Sequence, residues 1–392
     1  MKSRVKRLAI PVGGLTAAGL VGGMLAATPA QAAGDVASDP LASSGIAAKN
    51  VIAYWMNEKA ANLINASPYE TLVVAKHVSK GGPSADSKPG TVPAIGDEKK
   101  SGGTSKNVNL PRTTGKVFFR GADGKPHWCS ATSLQAKYRN LVATAGHCVY
   151  DTKSNKATLS RWVFIPGYYQ GKAPWGIYVG KQAFTHYDFD VYEDGDRDYA
   201  FVTVYNGLKA GSGAWLNKAE WDWKQVDKAT YKKYDPAIRR IRHGKYYIVK
   251  FTDVGRLGDN VGGQGLAYNQ KLGKKVFVFG YPSGSHPDGN HAYSGQTLKW
   301  SYGKTFGAKA PAVKAEELIG VKSSFTGEGS SGSAWLLNYK SARRIGYLNG
   351  VTSGVADTDG NDRIDTSVSP YFDGETYGVY KSAANVWSGS IA

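Results

Sequence analysis

The stretch Gly327-Glu328-Gly329-Ser330-Ser331-Gly332-Ser333-Ala334-Trp335 sets a serine between glycines immediately ahead of an apolar run. Glycines let a backbone turn sharply, so a hydroxyl is presented at a surface while neighbouring N–H groups point at a substrate carbonyl oxygen. Ser331 is the candidate nucleophile on that reading. Taken alone the stretch is more often an ordinary Gly/Ser turn.

Two stretches upstream bear on the choice. Thr144-Ala145-Gly146-His147-Cys148 follows the apolar run Leu141-Val142-Ala143, and Asp198-Tyr199-Ala200-Phe201-Val202 sets a carboxylate at the start of another strand-like run. A serine hydroxyl becomes nucleophilic when an imidazole takes its proton and a buried carboxylate fixes the imidazole's tautomer. The chain order His, Asp, Ser excludes the α/β-hydrolase arrangement, in which the serine comes first.

With Cys129, Ala145-Gly146-His147-Cys148, Asp198-Tyr199-Ala200 and Gly329-Ser330-Ser331-Gly332-Ser333 in this order, residues 114 to 380 resemble the chymotrypsin-like (trypsin-fold) serine peptidases. The secreted bacterial branch that includes glutamyl endopeptidases is the nearest in pattern. The resemblance implies an all-β fold of two antiparallel six-stranded barrels with the site between them, His147 and Asp198 on the first and Ser331 on the second. It implies Ser331 as nucleophile, His147 as base and then acid, Asp198 as the group orienting His147, and the backbone N–H groups of Gly329 and Ser331 as an oxyanion hole. Cys129 and Cys148 already read as a disulfide in an oxidising compartment, and the resemblance implies the same bridge, closing a loop behind His147. Asp188, Asp190, Asp194 and Asp196 crowd near Asp198 and read as a solvated acidic loop.

Two positions depart from the family pattern. The digestive members carry an aspartate before the nucleophile to pair with a newly made N-terminus; here Ser330 stands there, so a propeptide would act by blocking the cleft. The base of the primary pocket falls at Phe325, with Thr326, Val351, Ser353 and Gly354 as further walls, so no carboxylate is present to receive an Arg or Lys side chain. Thr326 resembles glutamate-preferring relatives, while Val351 stands where they usually carry a histidine.

Residues 1 to 32 have a basic start, an apolar middle and Ala30-Gln31-Ala32, the pattern of a cleaved signal peptide rather than a membrane span. No later run reaches the ~18 apolar residues a spanning helix requires. The expected product is secreted, extracellular and without a membrane partner. Residues 33 to 112 read as a propeptide and flexible linker: Ser43 or Ser44 caps a helix carrying Ile52, Trp55, Met56 and Leu63, and a Gly/Pro/Ser/Lys-rich stretch follows His77. Residues 113 to 392 form the peptidase domain. Short strand candidates there are Lys116–Arg120, Trp128–Ala131, Leu141–Ala143, Trp162–Pro166, Tyr199–Val204, Lys275–Gly280, Leu318–Ser323, Ser333–Leu337 and Ile345–Thr352.

The formal charge is +18, and Lys2, Arg4, Lys6 and Arg7 in the leader carry four of it. No nucleic-acid module accompanies the rest, which reads as a basic exported protein, monomeric by default. The aromatic, basic stretch from Lys209 to Arg242, with Trp215, Trp221, Trp223, Arg239, Arg240 and Arg242, is expected to pack its aromatics onto a barrel. Gly262-Gly263-Gln264-Gly265 has no βαβ surroundings and is no nucleotide fingerprint. His286 and His291 lack a third ligand of fitting spacing, and Asp357 to Asp365 departs from a calcium loop at its sixth and twelfth positions, so neither a metal nor a cofactor is expected. Together the residues point to an endopeptidase acting on proteins or peptides through an acyl-enzyme. The alternative is a silent peptidase-fold protein that binds an extracellular polymer.

Overall fold

The computed structural model describes residues 35–69, 75–78, 80–98, 105–152, 158–209, 216, 221–285, 292–323, 328–357 and 364–392. The leader, Trp215, His286, His291, Phe325, Thr326 and residues 358–363 of the acidic stretch lie outside these residues.

Six antiparallel strands close into the first barrel: β1 (Thr114–Arg120), β2 (Pro126–Leu134), β3 (Leu141–Thr144), β4 (Ser160–Pro166), β5 (Tyr178–His186) and β6 (Ala200–Val204). Hydrogen-bonded neighbours run β5-β6-β3-β2-β1-β4, and β4 pairs back with β5. Alternation sorts the side chains as a pleated strand requires. Val117, Phe119, Val142 and Val202 meet inside the barrel, while Leu141, Ala143 and Phe201 point outward to Phe279, Ala334 and Leu336 of the second barrel. One strand therefore fills one barrel and docks the other.

The second barrel follows the order β12-β9-β8-β7-β10-β11, built from β7 (Lys275–Gly280), β8 (Lys299–Ala310), β9 (Ala315–Lys322), β10 (Ala334–Lys340), β11 (Ile345–Val351) and β12 (Thr366–Pro370). Val351 N donates to Ser369 Oγ at 3.0 Å and Ser353 N to Val368 O at 2.8 Å, which brings the end of β11 back against β12. Val276, Val278, Ile319, Val321 and Trp335 form its core. The C-terminal helix (Gly374–Ala384), held by an Asp373–Thr376 capping box, covers the seam between the barrels.

Segment 35–98 is woven into both barrels. Val36–Pro40 pairs antiparallel with β5, Ser67–Pro68 runs parallel beside β2, Lys76–Val78 pairs with β8, and Gly90–Val92 pairs with a short strand, Gly265–Tyr268, that lies parallel to β11. Helix α1 (Gly45–Ile64) starts where Ser44 accepts the Ala47 N–H, and leaves helical geometry at Asn57–Ala60. Trp55 and Ile52 are buried with Phe118, Val163 and Ile165 on the outer face of the first barrel.

In the chain between the two barrels' strands, Asp222–Val226, Arg239–Arg242 and Lys245–Lys250 form a separate three-stranded antiparallel sheet. Trp221 and Trp223 pack against the core that contains α1, as the sequence leads one to expect, and the Arg240 guanidinium lies 3.9 Å from the Trp223 ring. No described helix is long and apolar enough to cross a membrane.

Candidate active site

β3 ends at Thr144, and the short 3-10 turn Gly146–Cys148 swings His147 back toward the start of β6. Asp198 lies two residues before β6, next to β3, because Ala200 pairs with Thr144. The two side chains meet twice: His147 Nδ1 lies 2.8 Å from Asp198 Oδ2, and the His147 backbone N–H donates to Oδ1 at 2.8 Å. Ser353 Oγ also donates to Oδ2. Burial by itself would raise the Asp198 carboxyl, but the adjacent imidazole, the Ser353 hydroxyl and the His147 N–H all favour the charged form, and the net shift is downward. His147 Nε2 is buried and has no hydrogen-bond partner among the described residues.

The disulfide joins Cys129 on β2 to Cys148, with a Cα–Cα distance of 6.3 Å, and anchors the histidine turn to the neighbouring strand. Tyr150, Phe189 and Trp162 pack around it, and Trp162 Nε1 donates to Cys148 O at 3.1 Å. Cys129, His147 and Cys148 bring possible ligand atoms within 4.8 Å of one another, yet the two sulfurs are bonded to each other. What remains is a single imidazole, which is not a metal site.

Ser331 is held by contacts that cross from one barrel to the other. Ser130 of β2 donates its backbone N–H to Ser331 O at 2.8 Å and its hydroxyl to Gly329 O at 2.9 Å, while accepting the Tyr281 N–H at 2.9 Å. Gly332 N donates to Thr352 O at 2.7 Å. Gly329 and Gly332 have φ of +80° and +79°, in the region that penalises a side chain. A Cβ on Gly332 would lie 2.0 Å from Ser130 O and 2.3 Å from Thr144 Oγ1, which sets the Ser331 loop against the end of β3, three residues before His147.

Of the expected site residues, His147 and Asp198 are hydrogen-bonded, while Ser331 lies on the loop clamped to β2 and makes no hydrogen bond to His147 Nε2. Val351, Ser353 and Gly354 are buried together at the end of β11, but Ser353 spends its hydroxyl on Asp198 rather than facing a pocket. The acidic cluster needs one correction: Asp196 is not solvated. It accepts the N–H groups of Glu316 and Glu317 at 2.9 and 2.7 Å, and burial still pushes its carboxyl up to about 6. Asp194 caps the turn that delivers it. Sequence reasoning missed Ser130, whose role depends on loops from the other barrel, and the docking of Ser67-Pro68-Tyr69 beside the site. There Tyr69 N donates to Trp128 O at 2.9 Å, and the Tyr69 ring centroid lies 6.2 Å from that of His147.

No family model and no curated protein matches this sequence. Solved structures do. The protease Anisep from Arthrobacter nicotinovorans is 24% identical over 71% of this chain and 98% of its own, with a TM-score of 0.50. A thermostable serine protease, AL20, from an extremophilic microorganism is 21% identical over 70% and 98%, with a TM-score of 0.48. A Glu endopeptidase is 15% identical over 74% and 99%, with a TM-score of 0.42. The chain has the chymotrypsin-like fold that its motifs imply.

Proposed function

We propose that this chain is a secreted serine endopeptidase that cleaves peptide bonds through an acyl-enzyme. The observation that carries the reading is the buried His147–Asp198 pair, with both carboxylate oxygens engaged by His147 and Nε2 left unengaged. Ser331 attacks the scissile carbonyl as His147 Nε2 takes its proton, and Asp198 holds the imidazole with Nε2 free to accept and stabilises the imidazolium formed. The N–H groups of Gly329 and Ser331 receive the developing oxyanion, each such donor lowering the barrier by about 3 kcal/mol. His147 then protonates the leaving amine, and water repeats the sequence on the ester.

Segment 33–112 enters the proposal as a propeptide. Ser67-Pro68-Tyr69 lies along β2 next to the catalytic imidazole, where a strap would obstruct entry of substrate. Its helical half is packed as core, and stripping it would uncover Phe118, Val163 and Ile165. Processing that frees the strap is therefore expected to leave α1 docked.

The test is fluorophosphonate labelling of the secreted protein beside Ser331→Ala, with intact mass recorded under native and denaturing conditions. Stoichiometric labelling of wild type that disappears in Ser331→Ala supports the reading. An unlabelled, fully processed wild type overturns it in favour of a binding protein on a peptidase fold.

A further inference from the structure

Lys116 is the most deeply buried cation of the described residues and plays no part in the chemistry above. It sits on β1 opposite Ser130, only 1% exposed, on the outer face of the first barrel. Its Nζ lies 3.4 Å from the Trp128 ring centroid and 4.7 Å from that of Tyr168, with the Tyr281 and Phe118 rings at 5.7 and 5.8 Å. No carboxylate pairs with it among the described residues. A buried ammonium without an anion is costly unless π faces replace its solvent, and three or four rings enclose this one.

The ring on which Lys116 bears most closely also supports the nucleophile loop. A Cβ on Gly329 would fall 2.1 Å from the Trp128 six-membered ring, so the Gly329 backbone rests directly on the indole, with Tyr281 O 2.9 Å away on another side. Tyr281 is fixed in turn by its hydroxyl, which donates to Tyr168 O at 2.8 Å, and by its N–H on Ser130. The cage around the amine and the seat of the loop are thus the same aromatic shelf. Ser330 carries no charge, so no ion pair at that position can order the loop from within.

We infer that Lys116 is a positioning residue for the proposed hydrolysis: its ammonium, clamped among Trp128, Tyr168 and Tyr281, fixes the indole against Gly329 and so keeps the Gly329 N–H aimed at the developing oxyanion. The inference rests on the serine-peptidase reading. It also accounts for a lysine where an apolar residue would pack at lower desolvation cost. Burial lowers the amine's proton affinity well below that of an exposed lysine, so the clamp is lost at a lower pH than an exposed lysine's charge would be.

The decisive comparison is wild type against Lys116→Met, which keeps the length of the side chain and removes the charge, with Trp128→Phe as the second variant. Three quantities are read on processed protein: kcat and KM on a peptide ester, the rate of fluorophosphonate labelling, and the inhibition constants of a peptide aldehyde, which forms a tetrahedral adduct, and of the matching carboxamide, which does not. Lys116→Met is expected to lose about tenfold or more in kcat and in aldehyde affinity, with KM and carboxamide binding within about twofold. Parallel losses of aldehyde and carboxamide binding, or unchanged kcat with a lower Tm only, overturn the inference and leave Lys116 a packing residue. Where Lys116→Met does not fold, Trp128→Phe carries the same split, and its absence is equally fatal. Failure of the underlying reading is distinct, because wild type itself would then be unlabelled.

Discussion

Asp198 and His147 flank neighbouring strands of one closed barrel, paired Ala200 to Thr144, and the side-chain hydrogen bonds described for them lie within that barrel except for the one from the Ser353 hydroxyl. Ser331 is placed otherwise: its loop belongs to the second barrel but is gripped by Ser130 of the first, by Thr352 behind it, and by the Trp128 face under Gly329. Apart from that hydroxyl, the proposed acid–base half is complete within one barrel. The proposed nucleophile half is complete only when two barrels have docked, which makes its geometry the more sensitive to distant change.

The largest effect is expected from the half that is already complete. Asp198→Asn keeps the volume and loses the anion, so His147 is held in the wrong tautomer and kcat should fall about 10⁴-fold, measured by steady-state turnover of a peptide ester. Far-UV and near-UV circular dichroism should stay native, since the barrel closes through backbone pairing. A loss below about tenfold would remove Asp198 from the mechanism.

On the other half, Gly332→Ala must accommodate a Cβ 2.0 Å from Ser130 O at a φ of +79°. Strain and overlap together should cost about 3 kcal/mol of unfolding free energy in urea, with loss of labelling at Ser331 in the fraction that remains folded. Retained labelling at full stability would mean that the loop is not clamped by β2. The Cys129→Ser, Cys148→Ser double variant tests the strut between the histidine turn and β2, the strand that grips the Ser331 loop. It should also cost about 3 kcal/mol, read as a lower urea midpoint, and leave the folded enzyme's KM close to wild type.

How much of this was legible follows the same division. His147, Asp198, Ser331 and the cysteine pair were candidates because each sits in a short motif with its own local backbone requirement, and the structure joins His147 to Asp198 and Cys129 to Cys148. Nine strand candidates correspond to observed strands, with ends shifted by a few residues, since alternation of Val, Phe and Leu is a local signal. Strand β5 was not read, because Lys181 and Gln182 interrupt its apolar pattern at the edge where Pro40 pairs with Gln182. Strand β12, Thr-Ser-Val-Ser-Pro, has turn composition and is nevertheless fully buried, with its Ser369 hydroxyl accepting the Val351 N–H of β11. Ser130, Trp128 and Lys116 carry no motif at all. Their roles arise only where β2 meets a loop about 200 residues further along, as in the Ser130–Gly329 bond, and single-sequence patterning holds no information on that distance.

The finest test of the two-halves picture is Ser353→Ala, because Ser353 is the second barrel's hydroxyl reaching into the first barrel's Asp198. Loss of one hydrogen bond to a buried charge costs about 1.5–3 kcal/mol, so kcat at pH 7 should drop about tenfold, with KM unchanged. The pH dependence of stability should move as well. Burial alone raises Asp198, but His147, Ser353 and the His147 N–H together hold its folded value below the ordinary one. Such a group stabilises the fold above the unfolded carboxyl's range, near pH 4, and that contribution disappears as pH falls through the folded value. Removing one donor lifts the folded value toward the unfolded one, so acid unfolding of Ser353→Ala should begin at a higher pH than in wild type. An unshifted acid transition together with the tenfold loss in kcat would assign Ser353 to the alignment of His147 rather than to the charge on Asp198. An unshifted transition with full activity would show that the acid–base half stands without the second barrel, and would sharpen the contrast with Ser331.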